Sequence, residues 1–575
     1  MPDVDLLARG PQRVAILLLV VLACTGLRLI HLEADSPVNV GTGSMGLYID
    51  EGYKTLAARN AVLFGASRWH PDDQYAGWAR LSGLTHWPYV ASFRLFGVEL
   101  GSARLVSIGY FLIFLALYAF AGARERPTVH LLAGLLLLSI SYVLFFFSRA
   151  ALLEVPMVAL CYGALFALRS PRIQRPVWVL ALLFLIAAAA TFHVKRSALL
   201  YFLPIFFGYG VATALAGKRA RVLKVWGPAA VAFVLLVAFL TRSSWSWRVE
   251  LSATTPFLRK ILLNPMTTSR VDTAESAVLL VCLGLLCALH LLALRPRQVL
   301  ADPYRCALLG VALLTPVLMT AFVYTPLRYY VPVLPAYLLV FLEWCALRPW
   351  TWRGPSDSWL AHALGLPLLA AVIFLVALAF DELVLYNLPL AIGDTPGISS
   401  TALYRFFLPV AAVAALALWP FRGRALTGRI VPAAVAVLLL ATVARDLWVV
   451  GRFLAAPSYR SREIARSLEE IVGPTASIAG DIAPFFALGT RMHALLVAPH
   501  SNSLDANTDL EPDYFQFSET NEGRATLEVL ESRPGVSVGP ALYRSEYAGR
   551  AISLHRLHWD GSAGETSAPQ LEGGR

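Results

Sequence analysis

Apolar runs of roughly 17 to 25 residues, each long enough to cross a hydrocarbon core of about 30 Å as a helix, recur from the first tens of residues to about residue 450. Nothing else in the sequence constrains the fold as strongly. A soluble protein has no use for this pattern: 57% of the 575 residues are hydrophobic, 15% are charged, and mean hydropathy is +0.63. The chain therefore reads as a polytopic α-helical membrane protein. About thirteen spans meet the length criterion, at roughly 13–31, 102–122, 128–147, 151–168, 177–194, 198–216, 224–241, 276–294, 305–324, 329–347, 359–380, 404–420 and 430–450.

Basic residues give the orientation, because short loops rich in Lys and Arg stay cytoplasmic. Arg9 and Arg13 precede the first span, and alternate loops then carry Arg124 and Arg126; Arg169, Arg172 and Arg175; Lys218, Arg219 and Arg221; Arg295 and Arg297; Arg348 and Arg353; and Arg422, Arg424 and Arg429. The alternation predicts a cytoplasmic N-terminus, an extracytoplasmic C-terminus and an odd number of spans. The formal charge of +11 is then a topology signal and does not point to nucleic acid. The first run has no small-residue cleavage site and reads as a retained span. All six cysteines fall inside or at the edge of apolar runs, without metal-ligand spacing.

The organisation that follows is a membrane domain over residues 1–454, an extracytoplasmic α/β domain over 455–560 and a disordered tail over 561–575. In the last domain, Arg462 to Ile471, Pro484 to Leu488 and Ala525 to Glu531 read as helical, and 476–479 and 494–497 as strands. The first outer loop, residues 32–101, is too long for a simple hairpin. It carries Tyr48-Ile49-Asp50-Glu51-Gly52-Tyr53, an acidic pair ahead of a short amphipathic helix expected to lie in the membrane interface. Trp69, Tyr75, Trp78, Trp87 and Tyr89 fit an interfacial aromatic belt.

Three further outer segments carry charge near the membrane, where ionisable groups are expensive and face each other or an aqueous cavity. Arg149 and Glu154 flank the short link between spans three and four, where they read either as a helix-packing ion pair or as part of a site. His193, Lys195 and Arg196 break the positive-inside pattern between spans five and six and ask for an anionic partner, lipid headgroups or a bound phosphate. Arg328 stands in the turn Arg328-Tyr329-Tyr330-Val331-Pro332. A negative centre beside a positive rim suits an enzyme that grips a lipid-linked phosphate and activates a neighbouring hydroxyl. The rival class is a transporter or lipid flippase, for which intramembrane charge is equally expected. Against it stand the absence of a two-fold repeat of broken spans and the presence of a long acidic first loop and an outer C-terminal domain.

The motifs Ile49-Asp50-Glu51-Gly52-Tyr53 with Ala58-Arg59, Trp87-Pro88-Tyr89, Leu95-Phe96-Gly97, Ala103-Arg104-Leu105, Ser148-Arg149-Ala150, Glu154-Val155-Pro156, the Lys195 segment and Arg328-Tyr329-Tyr330 together resemble the polyprenyl-phosphate-dependent glycosyltransferases of the GT-C fold. The branch is that of protein mannosyltransferases and aminoarabinose transferases (glycosyltransferase family 39). The resemblance implies transfer of a sugar from a polyprenyl-phosphate donor, with inversion, on the extracytoplasmic face, to a hydroxyl of a lipid, glycan or protein acceptor. It implies a bacterial or archaeal plasma (inner) membrane, Asp50 as general base and Glu51 as orienting Asp50 or the acceptor, both catalytic. Arg59, His86, Arg104, Arg149, Glu154, His193, Lys195, Arg196, Arg328 and Tyr329 are then candidates to bind donor phosphate or substrate. Glu154 stands where the family more often has Asp, and His86-Trp87-Pro88 departs from the Lys-Pro-Pro of the aminoarabinose branch. No cofactor is required by this scheme. Were the acceptor itself a phosphate, a base would be superfluous, and Asp50 would instead serve a divalent cation such as Mg or Mn.

Overall fold

The computed structural model describes residues 10–35, 46–73, 83–123, 126–169, 176–195, 197–215, 274–319, 327–348, 430–497, 502, 504, 509–519, 521–547 and 550–559. The spans expected at 224–241, 359–380 and 404–420, the basic loop from Trp245 to Arg270, the loop from Asp381 to Tyr404, Tyr75, Trp78 and the tail 561–575 lie outside the described residues. Among the described residues, helices over Pro11–Leu29, Leu100–Gly122 and Ala198–Leu215, and one beginning at Ile430, are long and apolar enough to cross a membrane. Glu154–Ala167, Trp178–His193, Leu279–Leu294 and Leu334–Leu347 are shorter apolar helices. The chain is thus a multi-pass membrane protein.

One expected span is not a single helix. The 128–147 run is two helices, Thr128–Ile140 and Tyr142–Arg149, bent by 66° at Ser141. A break in apolar surroundings frees backbone groups that need other partners, and two charged side chains supply them. Arg28, fully buried, donates from Nη2 to the Ser139 carbonyl at 3.1 Å and from Nε to Ser148 Oγ at 2.5 Å, so it spans both halves of the break. Asp446, from the helix Ile430–Ala455, accepts from the Tyr142 backbone.

At one end of the bundle, Glu343 accepts from Arg126, Arg169 and Arg305. Arg13 donates to the Arg126 carbonyl. Loops that the charge pattern assigned to one side therefore do meet at one end. The other end carries the C-terminal residues. There, five strands form a mixed sheet in the order β2-β1-β3-β5-β4, with β1 Ser477–Gly480, β2 His493–Leu496, β3 Tyr514–Ser518, β4 Val536–Tyr547 and β5 Arg550–Trp559. The pairs β1/β2 and β1/β3 are parallel; β3/β5 and β5/β4 are antiparallel. Helices Arg460–Val472, Ala483–Phe486 and Asn521–Ser532 accompany it. One face of the sheet, with Ile478, Ala494, Leu496, Ile552 and Leu554, belongs to the same continuous core as the bundle, while Leu495, Phe515, Leu530 and Leu557 build a smaller second core. The sheet is therefore fused to the bundle by shared apolar packing as well as by the chain.

The helix Gly46–Leu63 lies between the two. Sequence reasoning expected this segment to float in the membrane interface; instead Leu56, Ala58, Arg59 and Asn60 are fully buried. Tyr89 is buried too and is no belt residue, whereas Trp87 is 65% exposed, as an interfacial anchor would be. Gly52 explains the closeness. A Cβ there would stand 2.5 Å from Phe485 Cα and from the Pro484 carbonyl carbon, backbone atoms that cannot swing aside.

Two expectations follow. Gly52→Ala overpacks a backbone contact and costs about 1–3 kcal/mol, measured as a lower Tm of the purified protein and faster proteolytic separation of the C-terminal sheet; an unchanged Tm refutes the contact. His493 packs on Phe64 at 4.1 Å and Trp69 at 5.7 Å between ring centroids. Burial, and secondarily Arg59, hold its imidazole below the histidine reference of 6.5. The folded state thus disfavours the proton, so stability falls as pH drops below the unfolded value of about 6.5. In His493→Gln the loss of Tm between pH 7.5 and 5.5 becomes shallower than in the parent, and equal slopes refute the assignment.

Candidate active site

Asp50 and Glu51 sit inside the helix Gly46–Leu63, not in a loop ahead of it. Adjacent helical positions diverge by about 100°, so the two carboxylates face different surroundings. Glu51 is completely buried and its oxygens are committed. Arg104, in the first turn and a half of Leu100–Gly122, donates to it in fork geometry, Nε to Oε1 and Nη2 to Oε2, each at 2.8 Å. The Ala151 N–H donates to Oε1 at 2.8 Å. The remaining Arg104 nitrogen, Nη1, donates to the carbonyls of Leu32 at 2.6 Å and Ala34 at 2.7 Å. One ion pair thus joins the end of the first span, the acidic helix, the second span and the link that follows the broken span. Asp50, 6% exposed, stands one residue away from this anchor.

The expected Arg149/Glu154 pair does not form. Arg149 donates instead to the His31 carbonyl and lies over the Phe453 ring at 4.5 Å. Glu154 opens the helix Glu154–Ala167 and accepts from Lys195 Nζ at 2.5 Å. The ammonium also stands 3.9 Å above the Tyr329 ring centroid. Tyr201, inside Ala198–Leu215, donates from its hydroxyl to the Tyr329 carbonyl at 2.6 Å and so fixes that turn. Lys195 keeps 19% of its side-chain surface, against 4% for Glu154. Cation and carboxylate are therefore held at one point, with the cation the more accessible.

Tyr89, on the helix Gly83–Phe96, is fully buried with Glu51 and Glu154 in its electrostatic surroundings. Burial first, then these carboxylates, pushes its phenol upward, so it stays protonated. Sequence reasoning missed its role by filing it with the aromatic belt.

Other candidates lie elsewhere. Arg59 is a domain tie: it donates from Nε to Ala487 O at 3.1 Å and from Nη2 to Thr490 O at 3.0 Å and Met492 O at 2.6 Å. Burial brings its guanidinium down to about 9, against the attraction of Glu469. Arg104, a candidate for the phosphate, is occupied by Glu51. His86 is buried beside Trp87. His193 ends its helix exposed. Arg196 and the Arg328 side chain lie outside the described residues. Among the described residues no three His, Cys, Asp or Glu side chains are grouped as a metal site.

No family model and no curated protein matches the chain. Solved structures similar to it include two crystal structures of ArnT from Cupriavidus metallidurans. The one bound to undecaprenyl phosphate is 16% identical, with a TM-score of 0.46 over 94% of this chain and 97% of that one. The apo structure is 16% identical, with a TM-score of 0.48 over 96% of this chain and 99% of that one.

Proposed function

We propose that the chain is a GT-C glycosyltransferase that moves a sugar from a polyprenyl-phosphate donor to a hydroxyl on a lipid, glycan or protein, on the extracytoplasmic face and with inversion. The N-terminus is then cytoplasmic and the sheet-bearing end extracytoplasmic. The observation that carries the reading is the pairing of Lys195 with Glu154 over Tyr329, at the same end of the bundle as Asp50 and Glu51. An ammonium held at fixed position by a carboxylate and an aromatic face, but still accessible, is suited to receive a phosphate that gains charge as its bond to the sugar breaks.

In this reading the acceptor oxygen attacks the anomeric carbon from the face opposite the phosphate. The C–O bond to the polyprenyl phosphate breaks, the phosphate leaves as an anion beside Lys195, and the acceptor proton passes to the Asp50 carboxylate. Glu51 does not touch the reactants. Locked to Arg104 and the Ala151 N–H, it fixes the helix that presents Asp50. One observation speaks for the rival transporter or flippase reading: the bent pair at Ser141 is a broken span of the kind that transporters use.

Two measurements separate these readings. In membranes supplied with polyprenyl-phosphate sugars, Asp50→Asn lowers the transfer rate by the 10²- to 10⁴-fold typical of a general base, with donor KM unchanged and expression intact; full activity refutes the base, and substrate movement without transfer favours the rival. Lys195→Met raises donor KM by about tenfold or more, the loss of one charge-assisted contact, while Lys195→Arg restores part of it. An unaltered donor KM removes Lys195 from the phosphate site.

A further inference from the structure

A concavity lies at the sheet-bearing end, with neither Lys195 nor Asp50 in its lining. It has a volume of about 710 Å³ and is formed where the first span meets the helix Arg460–Val472. Its walls carry opposite charges at fixed positions. Arg462 and Arg466 stand on the helix beside Glu463, and Glu33 faces them from the first outer segment. Glu33 and Arg462 are paired at 2.7 Å, yet 29% and 49% of their side-chain surfaces remain accessible. His31 and Tyr459 close one side, joined by a hydrogen bond of 2.9 Å. Glu99 adjoins Glu33; contact with Glu33 first and burial second hold its carboxyl above the usual carboxylate range. Two arginines of the lining thus face two glutamates, Glu33 paired with Arg462 at 2.7 Å and Glu463 with Arg460 at 3.0 Å, so there is no surplus of positive side chains to offer a simple anion.

Directly below, the first span turns apolar side chains outward. Leu19, Leu22, Leu29 and Ile30 are 68%, 51%, 48% and 44% exposed; Leu19 and Leu22 lie on the helix Pro11–Gly26, Leu29 ends the short 3-10 turn that follows, and Ile30 comes just after it. Along the chain these residues lead directly into His31, Leu32 and Glu33 of the concavity. A ligand seated there meets hydrocarbon at one end and paired charges at the other.

We infer that this concavity binds the headgroup of a zwitterionic phospholipid, phosphoethanolamine, with the phosphate on Arg462 and Arg466, the primary ammonium on Glu33 and Glu463, and the acyl chains along Leu22, Leu29 and Ile30. A primary ammonium brings three N–H donors for the carboxylates, which a choline headgroup lacks. An anionic headgroup leaves the glutamates unopposed. The floor of the site is the stretch whose carbonyls at His31 and Leu32 hold Arg149 and Arg104, so a bound lipid braces the segment on which the Glu51 anchor rests. This goes beyond the transfer reading and does not depend on it.

The test is native mass spectrometry of the full-length protein released from nanodiscs containing equal parts dioleoyl phosphatidylethanolamine, phosphatidylglycerol and phosphatidylcholine. Phosphatidylethanolamine is retained about tenfold over each of the others, the ratio worth one charge-assisted hydrogen bond. Arg466→Gln with Glu463→Gln, two exposed positions on a surface helix, abolishes that preference at unchanged Tm. Equal retention of the three lipids, or an undiminished preference in the double variant, overturns the proposal. Glycerophosphoethanolamine offered alone binds far more weakly than the lipid; equal binding assigns the site to a soluble zwitterion and overturns the membrane source.

Discussion

A carboxylate with no solvent exposure is tolerable only when its charge is met, and Glu51 meets its opposite in the Arg104 guanidinium. Breaking such a pair by removing one partner costs far more than the pair contributes, because the charge left behind has neither water nor counter-ion. What the arrangement secures is position. Arg104 uses its remaining nitrogen on the Leu32 and Ala34 carbonyls, and Glu51 takes the Ala151 N–H as well. Four segments far apart in sequence are thereby placed by one planar fork whose geometry allows little play. The acidic helix, the sheet that covers it and the Lys195 cluster all take their places relative to that fork.

The same economy appears at the bent span. An interruption in hydrocarbon is permitted only where its freed backbone groups are satisfied, and here buried charged side chains do so from two different helices, Arg28 below and Asp446 across. Neither is explained by the chemistry of transfer. Intramembrane charge in this protein thus has two uses, backbone repair at Ser141 and presentation of ionisable groups at Glu154 and Lys195, and composition does not tell them apart.

Much of this was legible in the sequence. Apolar run length marked most of the described helices, and the alternation of basic loops put Arg126 and Arg169 on one side; Glu343, which gathers them, went unremarked. The misplaced charge of Lys195 and the short link holding Glu154 singled out two side chains that the fold pairs, because ionisable groups near a membrane must find each other. Their partners were less legible. Arg149 and Glu154 are near in sequence but diverge at the end of a helix, whereas Arg59 finds its carbonyls some 430 positions later. β4 and β5 were missed because their residues are mostly polar or half-exposed and lack the clean alternation of a strand with one buried face; β3, five residues long and buried at Phe515, Gln516 and Ser518, shows no alternation either. Gly52 was visible as a letter of the motif, but its reason, an approaching backbone from the C-terminal domain, is a fact of tertiary structure.

That approach bears on how the molecule is made. Ribosomes deliver the acidic helix early and its cover last, so Asp50 waits through the synthesis of more than four hundred residues before Pro484 and Phe485 close over Gly52. Contacts of such sequence separation form late and slowly. Until the final strands emerge, the helix that bears the carboxylates has only its bundle side packed and lacks the carbonyls that hold Arg59. A partly synthesised chain already threaded through the membrane therefore has an incomplete centre, and competence arrives only with the last segment to fold.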